Sequence, residues 1–504
     1  TGKSDGSICV PPRRRRLYIH KVDDNVKDDA SLRKWFIESS AVETFFLWHE
    51  YKMEKKREDI EKQKANEKVV DTSNVGEELQ NDLEGNGTIP EEFKRQMFYT
   101  LGDYKDIFEG KSIEVGDEKD KQKMKEIEKK IQAHINSGSS SPPHGTPGQP
   151  NSVTTPQQTW WSRNAPSIWK GMICALTYKE DGEKSTDDKT TLKRNDDVYE
   201  KIFGKPPNND NPQNPNNGTF HKKYHYDSVR LKDDDDQSGD KLQSTSAPSD
   251  TPTLNNPKLS DFVLRPTYFR YLEEWGESFC GTRKRMLEQL EKVCRSGETG
   301  KEHCSGDGHV CEKDYLNHNN MFADSYCPDC KKACRKYKKW IEKKLEEFQK
   351  QKDKYKGELD KLTKDKSGGD KKFCEEIKNH SSAANFLKEL KHGKDNQGNS
   401  DQDNKLDFEN IPQTFSRSTY CKTCPPNKVN CSSGSKSRTS GGTNRCTEVK
   451  KNGETWEKVF DKIAKNNGKT TTIDVHMIDR RAPFIKKYLE NSKNSEESNN
   501  SLFK

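Results

Sequence analysis

The spacing of cysteines is the feature that most constrains how this 504-residue chain can fold. The number of cysteines is even, and all but Cys9 and Cys174 lie between residues 280 and 446. Dense and even clustering is typical of oxidised, exported proteins, because reducing compartments keep cysteines as thiols. The disulfide candidates are Cys9, Cys174, Cys280, Cys294, Cys304, Cys311, Cys327, Cys330, Cys334, Cys374, Cys421, Cys424, Cys431 and Cys446. Their connectivity does not follow from the sequence.

Three of these cysteines fall in the stretch CPDCKKAC at residues 327–334, ahead of a long charged segment. Cys327 with Cys330, and Cys421 with Cys424, have the spacing of zinc-ligand pairs. Zinc ribbons place two such pairs about 15–20 residues apart, whereas about ninety residues intervene here. A thioredoxin-like redox pair needs a βαβ context, which the sequence lacks. We therefore expect no metal site, and we interpret the three cysteines as disulfide staples at the start of a helix.

The composition favours compact aromatic cores joined by polar insertions. Only 28% of residues are hydrophobic and 34% are charged, but the chain contains 8 Trp, 16 Tyr and 20 Phe, and disordered segments are poor in aromatic residues. Apolar residues recur at helical spacing in several segments, and convincing strand alternation is absent. Helices are predicted over residues 32–52, 91–108, 119–135, 262–294 (after Pro266), 327–362, 373–390, 456–464 and 483–489, with core-like composition at 161–177 and an extended segment at 470–477. The predicted class is all-α with large loops.

Two long segments, residues 135–159 and 206–258, are rich in Pro, Asn, Gly and Ser and are predicted to be loops. The acidic run at 233–236 lacks the alternating ligand spacing and the glycine of an EF-hand, so we interpret it as a solvated loop. No apolar run is long enough to span a membrane, and residues 1–10 do not resemble a signal peptide. If the protein is extracellular, we expect the chain to be a piece of something larger.

The charge balance and the motif content argue against two function classes. A dedicated nucleic-acid binder would show a clear basic bias, whereas 90 basic and 83 acidic residues give a net charge of only +7. Nucleotide-binding, metalloprotease and hydrolase motifs are absent, so we expect neither an enzyme nor a cofactor. His221 and His225 have helical spacing, but they fall in a segment predicted to be a solvated loop.

Two basic clusters have alternative interpretations. One is formed by the four arginines at residues 13–16, and the other lies at residues 331–344, which carry eight Lys and Arg residues opposed only by Glu342. Such a surface is capable of holding a sulfated polysaccharide through charge. The alternative is a solvated helix face whose lysine stems cover the core.

Five motifs occur in an order that resembles the Duffy-binding-like domain. They are CVPPRRRRLY at 9–18, FFLWHEYK at 45–52, WKGMICALTY at 169–178, PTYFRYLEEWGESFC at 266–280 and CPDCKKACRKYKKWIEKKLEEFQKQKDKY at 327–355. The chain is most similar to the beta class found in the Plasmodium falciparum erythrocyte membrane protein family of variant surface antigens. FLKELKHG at 386–393, LDFENIPQTF at 406–415 and CKTCPP at 421–426 also resemble that class.

The resemblance implies a fold of three subdomains, namely an irregular N-terminal segment, a helical bundle, and a long helical hairpin stapled by disulfides. We place the N-terminal subdomain and the start of the bundle at 1–110, the bundle with its insertions at 111–310, and the hairpin at 311–504. The resemblance also implies an adhesion module on the infected erythrocyte surface, attached to the membrane only through an anchor outside this chain. The partner it implies is an immunoglobulin-like receptor of host endothelium, intercellular adhesion molecule one, and a displayed antigen also meets host antibodies. A sulfated-glycan-binding module and a structural spacer remain alternatives.

In beta-class members that bind this receptor, one contact region carries an isoleucine ahead of an Asn-Glu-Gly-Gly-Pro/Ala-x-Tyr run. Ile473 and Ala482 match that pattern here, and Phe484 replaces the tyrosine, whereas Arg480 and Arg481 replace the glycines. Apolar anchors combined with arginines are what interface centres use, although half of these residues would alternatively cap the hairpin core. The predicted receptor-binding residues are Asp474, Val475, His476, Met477, Ile478, Asp479, Arg480, Arg481, Ala482, Pro483, Phe484, Ile485 and Tyr488.

Overall fold

The computed structural model describes residues 9–19, 26, 28–65, 75–111, 118–137, 155–180, 191–205, 218–232, 254, 256–295, 304–308, 327–364, 371–390, 406–422, 429–431 and 446–448. The chain divides into two compact units. Unit 1 comprises residues 1–284 and 342–416, and unit 2 comprises residues 285–341 and 417–504. The three-part division drawn from the sequence stays a prediction.

The described residues are mostly helical, which confirms the all-α prediction. The helices are α1 (Pro12–Arg15), α2 (Asp29–Ala65), α3 (Val75–Asn86), α4 (Glu91–Glu109), α5 (Glu118–Ser137), α6 (Pro156–Ala175), α7 (Asp196–Phe203), α8 (Thr219–Lys223), α9 (Leu259–Phe262), α10 (Thr267–Arg295), α11 (Pro328–Lys364), α12 (Lys371–Ile377), α13 (Ala383–Glu389) and α14 (Ile411–Thr414), with a 3-10 turn at Thr419–Cys421. Two short antiparallel pairs join β1 (Tyr178–Glu180) to β2 (Leu192–Arg194) and β3 (Val429–Cys431) to β4 (Cys446–Glu448).

Helix α4 is the centre of unit 1. It begins after Pro90, is buried along nearly its whole length, and ends at Gly110, whose φ of 66° is the left-handed conformation that glycine adopts without strain. Helices α2 and α6 cover one side of it through an aromatic cluster. Phe36 contacts Phe108 and Trp160, and the Phe108 and Trp160 rings stack with centroids 4.6 Å apart. Aromatic area of this size is what allows so polar a chain to form a core.

A second aromatic layer joins the first part of α10 to the later part of α11 within unit 1. Trp275 stacks on Phe279 and Phe348, and the Trp275 indole Nε1 donates a 2.8 Å hydrogen bond to Glu347. The Tyr268 hydroxyl donates to the backbone oxygen of Gln351, 2.7 Å away. Phe408 and Phe415 pack against the same layer. The side chains that meet run in opposite order along the two helices, so these helical segments are antiparallel.

The N-terminal arm is fixed by Arg13. Its guanidinium donates to both carboxylate oxygens of Glu274 on α10, at 3.0 and 2.9 Å, and to Asp103 on α4 at 2.6 Å. A fourth bond goes to the Thr100 hydroxyl at 3.0 Å. The Arg13 side chain is only 8% exposed. A guanidinium suits this place because its planar fork serves several oxygen acceptors at once.

Further buried charges continue the network between α4 and α10. Arg270 donates to Asp106 at 2.5 Å, and Arg95 lies 2.8 Å from Glu277. Burial opposes the charge on Arg13, but Glu274 and Asp103 raise its pKa overall. Burial raises the pKa of Glu277 to about 8, even though the Arg95 guanidinium opposes this rise.

Most helices predicted from the sequence are confirmed, and each confirmed helix extends past its predicted C-terminal end. Helix α11 buries apolar residues at helical spacing. Ile341, Phe348 and Tyr355 are buried, and Gln351 is buried beside them. The predictions at 456–464, 470–477 and 483–489 lie outside the described residues.

Two predictions are corrected. Residues 373–390 form two helices rather than one, because the Ser382 hydroxyl accepts from the Asn385 amide and begins a new helix at Ala383. Within the predicted loop 206–258, residues 218–232 fold onto the unit 1 core with Tyr224 fully buried. His221 therefore lies on helix α8 rather than in a loop, although it is exposed to solvent as expected.

In the part of the chain that the structure describes, no helix combines the length and the apolar character needed to cross a membrane.

We predict that Arg13→Ala destabilises the fold by about 3–5 kcal/mol, because it leaves the carboxylates of Glu274 and Asp103 buried without their partner. Arg16→Ala is the matched control, since Arg16 is exposed and its ion-pair partner among the described residues is exposed Glu50. Its effect should stay within about 0.5 kcal/mol. Urea unfolding followed by tryptophan fluorescence measures both values. Equal, small losses would contradict a structural role for Arg13.

Candidate functional site

The thirteen predicted receptor-binding residues, Asp474 through Ile485 and Tyr488, lie outside the described residues. Their assignment stays a prediction. The described candidate regions are the cysteine cluster at the start of α11, the free thiols of unit 1, and the two basic clusters.

The three cysteines at the start of α11 each form a disulfide, as the sequence predicts. Cys327 bonds to Cys304 and Cys330 bonds to Cys294. Cys334 bonds to Cys421, which lies 87 residues further along the chain. The 3-10 turn and the end of α10 are thereby tied to the first turns of one helix. The sulfurs of Cys327, Cys330 and Cys421 are therefore bonded in disulfides rather than free as thiolates.

Backbone and side-chain contacts reinforce this disulfide cluster. Arg295 donates to the carbonyl oxygens of Cys294 and Cys304, at 3.0 and 3.2 Å, and its guanidinium lies 5.3 Å from the Tyr420 ring centroid. At Gly306 an added Cβ would lie only 2.4 Å from the Cys421 oxygen. A glycine is required there because the segment at 304–308 passes so close to Cys421.

Three of the fourteen disulfide candidates differ from the expectation. Cys9, Cys174 and Cys280 are free thiols in the structure. Cys280 is buried on α10, and burial raises its pKa to about 12. Burial also raises the pKa values of Cys9 and Cys174. The sequence suggested disulfides because density and parity were the only signals, and neither reports which sulfurs meet in space.

Among the remaining candidates, Cys374 lies on α12. Cys431 and Cys446 are directly opposite each other in the β3–β4 pair. Cys311 and Cys424 lie outside the described residues.

The first basic cluster is largely structural. Arg13 and Arg14 are buried, with Arg13 committed to the network with α4 and α10, so the stretch offers only Arg15 and Arg16 to solvent. The sequence could not show which of these arginines are buried, because the same run of arginines is compatible with exposure to water and with burial against carboxylates.

The second basic cluster presents cations to solvent on α11. Lys332, Arg335, Lys336, Lys339 and Lys343 are exposed, whereas Lys331, Lys338 and Lys344 are half-buried. The first four of these exposed residues recur at intervals of three and four and therefore share one helix face, here called the basic stripe, which runs about 10 Å along the axis. None of these four side chains forms an ion pair with another described residue. Lys344 differs, because its ammonium contacts Glu347 at 2.6 Å.

The sequence matches two family descriptions. Residues 7–230 match the Duffy binding domain, and residues 274–419 match the C-terminal subdomain of the Duffy-binding-like domain. Together they account for most of the chain, in the order that the motifs predict. The chain belongs to the Duffy-binding-like family. The resemblance drawn from the sequence motifs is thereby confirmed.

Solved structures of this family from Plasmodium falciparum share the fold. The NTS-DBL1(alpha-1) domain of the PfEMP1 protein from the varO strain aligns at 25% identity over 86% of this chain and 80% of that chain, with a TM-score of 0.50. A DBL1-alpha and CIDR-gamma double domain from the same strain aligns at 25% identity with a TM-score of 0.52, over 97% of this chain and 59% of that chain. Among curated proteins, no sequence matches this chain.

An ICAM-1-binding DBLbeta domain of PfEMP1 aligns at 16% identity over 82% of this Duffy-binding-like chain and 76% of that chain. Its TM-score is 0.41, so its binding site is not transferred to this domain.

We predict that Cys9, Cys174 and Cys280 react with iodoacetamide when the domain is unfolded without reductant. In the folded domain Cys280 should resist alkylation, because it is buried and its raised pKa leaves almost no thiolate. Peptide mass spectrometry measures each site. Cys294 is the control, since its disulfide should keep it unlabelled in both states. Recovery of Cys280 in a disulfide-linked peptide would restore the expectation drawn from the sequence.

Proposed function

We propose that this Duffy-binding-like domain is the adhesion module of a variant surface antigen displayed on infected erythrocytes, and that it binds intercellular adhesion molecule one. The observation that carries this proposal is the ordered set of beta-class motifs, which extends through FLKELKHG, LDFENIPQTF and CKTCPP. Membership of the Duffy-binding-like family supports the general part of the proposal, a binding module rather than an enzyme. The choice of receptor rests on the sequence motifs.

The proposed contact segment is residues 474–488. It combines apolar side chains such as Met477 and Phe484 with the paired cations Arg480 and Arg481. Aromatic and apolar anchors next to arginines are typical of interface centres, and contacts of this kind lose little affinity when salt screens long-range charge. The proposed interface should therefore tolerate physiological salt.

We predict that the oxidised domain binds immobilised intercellular adhesion molecule one at both low and physiological salt. Arg481→Glu and Phe484→Ala should each weaken binding by about 10- to 30-fold, as expected for hot-spot residues whose loss costs about 1.4–2 kcal/mol. Surface plasmon resonance measures the dissociation constants.

Matched controls come from the described surface. Phe46 is 59% exposed on α2, and Arg335 is exposed on α11, so Phe46→Ala and Arg335→Glu repeat the same chemical changes away from the segment. Both should bind as the wild type does. If both site variants bind as tightly as the wild type, the contact site lies elsewhere on the domain. If the wild type binds at neither salt concentration, this receptor is ruled out.

A second candidate function, sulfated-glycan binding, is favoured by the exposed basic stripe of α11. Four cations within about 10 Å of helix create a local positive potential without competing acidic partners in the described residues. The affinity of such a site should fall steeply with added salt, in contrast to the receptor interface.

We predict that reversing the basic stripe, by Lys332→Glu, Arg335→Glu, Lys336→Glu and Lys339→Glu together, abolishes any binding of a heparin oligosaccharide. The control reverses four exposed lysines further along the same helix, by Lys350→Glu, Lys352→Glu, Lys356→Glu and Lys361→Glu, and makes the same change in net charge. Isothermal titration calorimetry at several salt concentrations compares them. Equal losses in both variants would show a general charge effect rather than a site.

A further inference from the structure

Two of the disulfides in unit 2 lie against each other. Cys294, Cys330 and Cys334 are buried, and their Sγ atoms all lie within 4.8 Å of one another. The Sγ atoms of Cys294 and Cys334, which belong to different disulfides, are only 4.0 Å apart. This distance is close to van der Waals contact between sulfur atoms. The third disulfide, Cys304–Cys327, contributes no sulfur to this group.

Contact between two disulfides permits exchange once one of them is opened. A disulfide breaks when a thiolate attacks one of its sulfurs and the other sulfur leaves. Among the four cysteines of the two bonds, Cys421 is the most accessible, being half-buried, whereas Cys294 and Cys330 are fully buried. An external thiol therefore reaches Cys421 first.

We propose that Cys421 is the entry site for a small dithiol reductant, and that the opened bond is passed inward from Cys334–Cys421 to Cys294–Cys330. A reagent thiolate bonds to the Cys421 Sγ, the Cys334–Cys421 bond breaks, and its electron pair goes to the Cys334 Sγ. The second thiol of the reagent then releases Cys421 as a thiol, and the reagent leaves as a cyclic disulfide. These steps consume two electrons from the dithiol.

The inward step is redox-neutral. The Cys334 thiolate, after rotation about its χ1 into line with the neighbouring bond, attacks the Cys294 Sγ. The Cys294–Cys330 bond breaks, its electron pair goes to the Cys330 Sγ, and Cys330 takes up a proton. The product contains a Cys294–Cys334 disulfide and thiols at Cys330 and Cys421, and the two thiol protons come from the dithiol.

The position of Cys330 favours this direction. Cys330 lies in the first turn of α11, where the unpaired backbone amides and the helix dipole stabilise negative charge. The released thiol also has an acceptor for its proton, because the Cys330 Sγ lies 3.4 Å from the Ser305 carbonyl oxygen. The alternative product, Cys330–Cys334, would join residues four apart on one helix. The new Cys294–Cys334 bond instead keeps the end of α10 attached to α11, while the segment carrying Cys421 is released.

Limited reduction of the native wild-type domain tests the proposal. The domain is treated with dithiothreitol until about one disulfide per molecule is opened, quenched with acid, alkylated and digested with trypsin. Cleavage after Lys331 and Lys332 separates Cys330 from Cys334, so the two possible partners of Cys294 appear in different peptides. We expect molecules alkylated at Cys421 to contain the Cys294–Cys334 cross-link and alkylated Cys330. If those molecules retain Cys294–Cys330 and carry the label on Cys334, the proposal is wrong.

A variant tests the inward step without reductant. Cys421→Ser leaves Cys334 as a thiol beside the Cys294–Cys330 bond, and we expect the Cys294–Cys334 peptide to appear. The matched control is Cys327→Ser, which frees Cys304 outside the sulfur group and should leave Cys294–Cys330 intact. Exchange to the same extent in both variants would indicate general scrambling and overturn the proposal. If Cys421→Ser does not fold, the wild-type measurement decides.

Discussion

The contact between Arg13 and the carboxylates of Glu274 and Asp103 is the constraint on which unit 1 depends. It joins the N-terminal arm to two helices that are distant in sequence, and it does so with a guanidinium that is only 8% exposed. Its removal takes away the hydrogen bonds of Glu274 and the shortest ion pair of Asp103. The surrounding core is aromatic rather than aliphatic, which explains how a chain with only 28% hydrophobic residues encloses a continuous interior. Helices α4 and α10 carry both the buried ion pairs and aromatic residues of the core, so the two kinds of contact stabilise the same packing.

Unit 2 follows a different physical strategy. Its described part contains few large apolar side chains, and three disulfides converge on the first two turns of α11. Cross-links reduce the entropy of the unfolded chain and so replace part of the stabilisation that a core would provide. The same convergence brings sulfurs of two disulfides to 4.0 Å, which gives the cluster a chemistry that separated cross-links would lack.

The two proposed binding modes require different surface chemistry. A receptor interface at 474–488 depends on apolar anchors, whereas a glycan site on the basic stripe depends on unpaired charge. The charge network removes the arginines at 13–14 from consideration, since they are buried among carboxylates. Only the basic stripe of α11 then remains as a described cationic surface of the kind that the sequence suggested.

The sequence by itself determined the helical class, the family and the staples at Cys327, Cys330 and Cys334, because periodicity, motif order and cysteine density are local or ordered along the chain. Only the tertiary structure decided which sulfurs bond, which of the arginines at 13–16 are buried, and that residues 218–232 belong to the core rather than to a loop. These outcomes depend on which groups distant in sequence meet: Cys334 meets Cys421 across 87 residues, and Arg13 meets Glu274 across 261. The order of residue types along the chain does not show which distant groups come into contact.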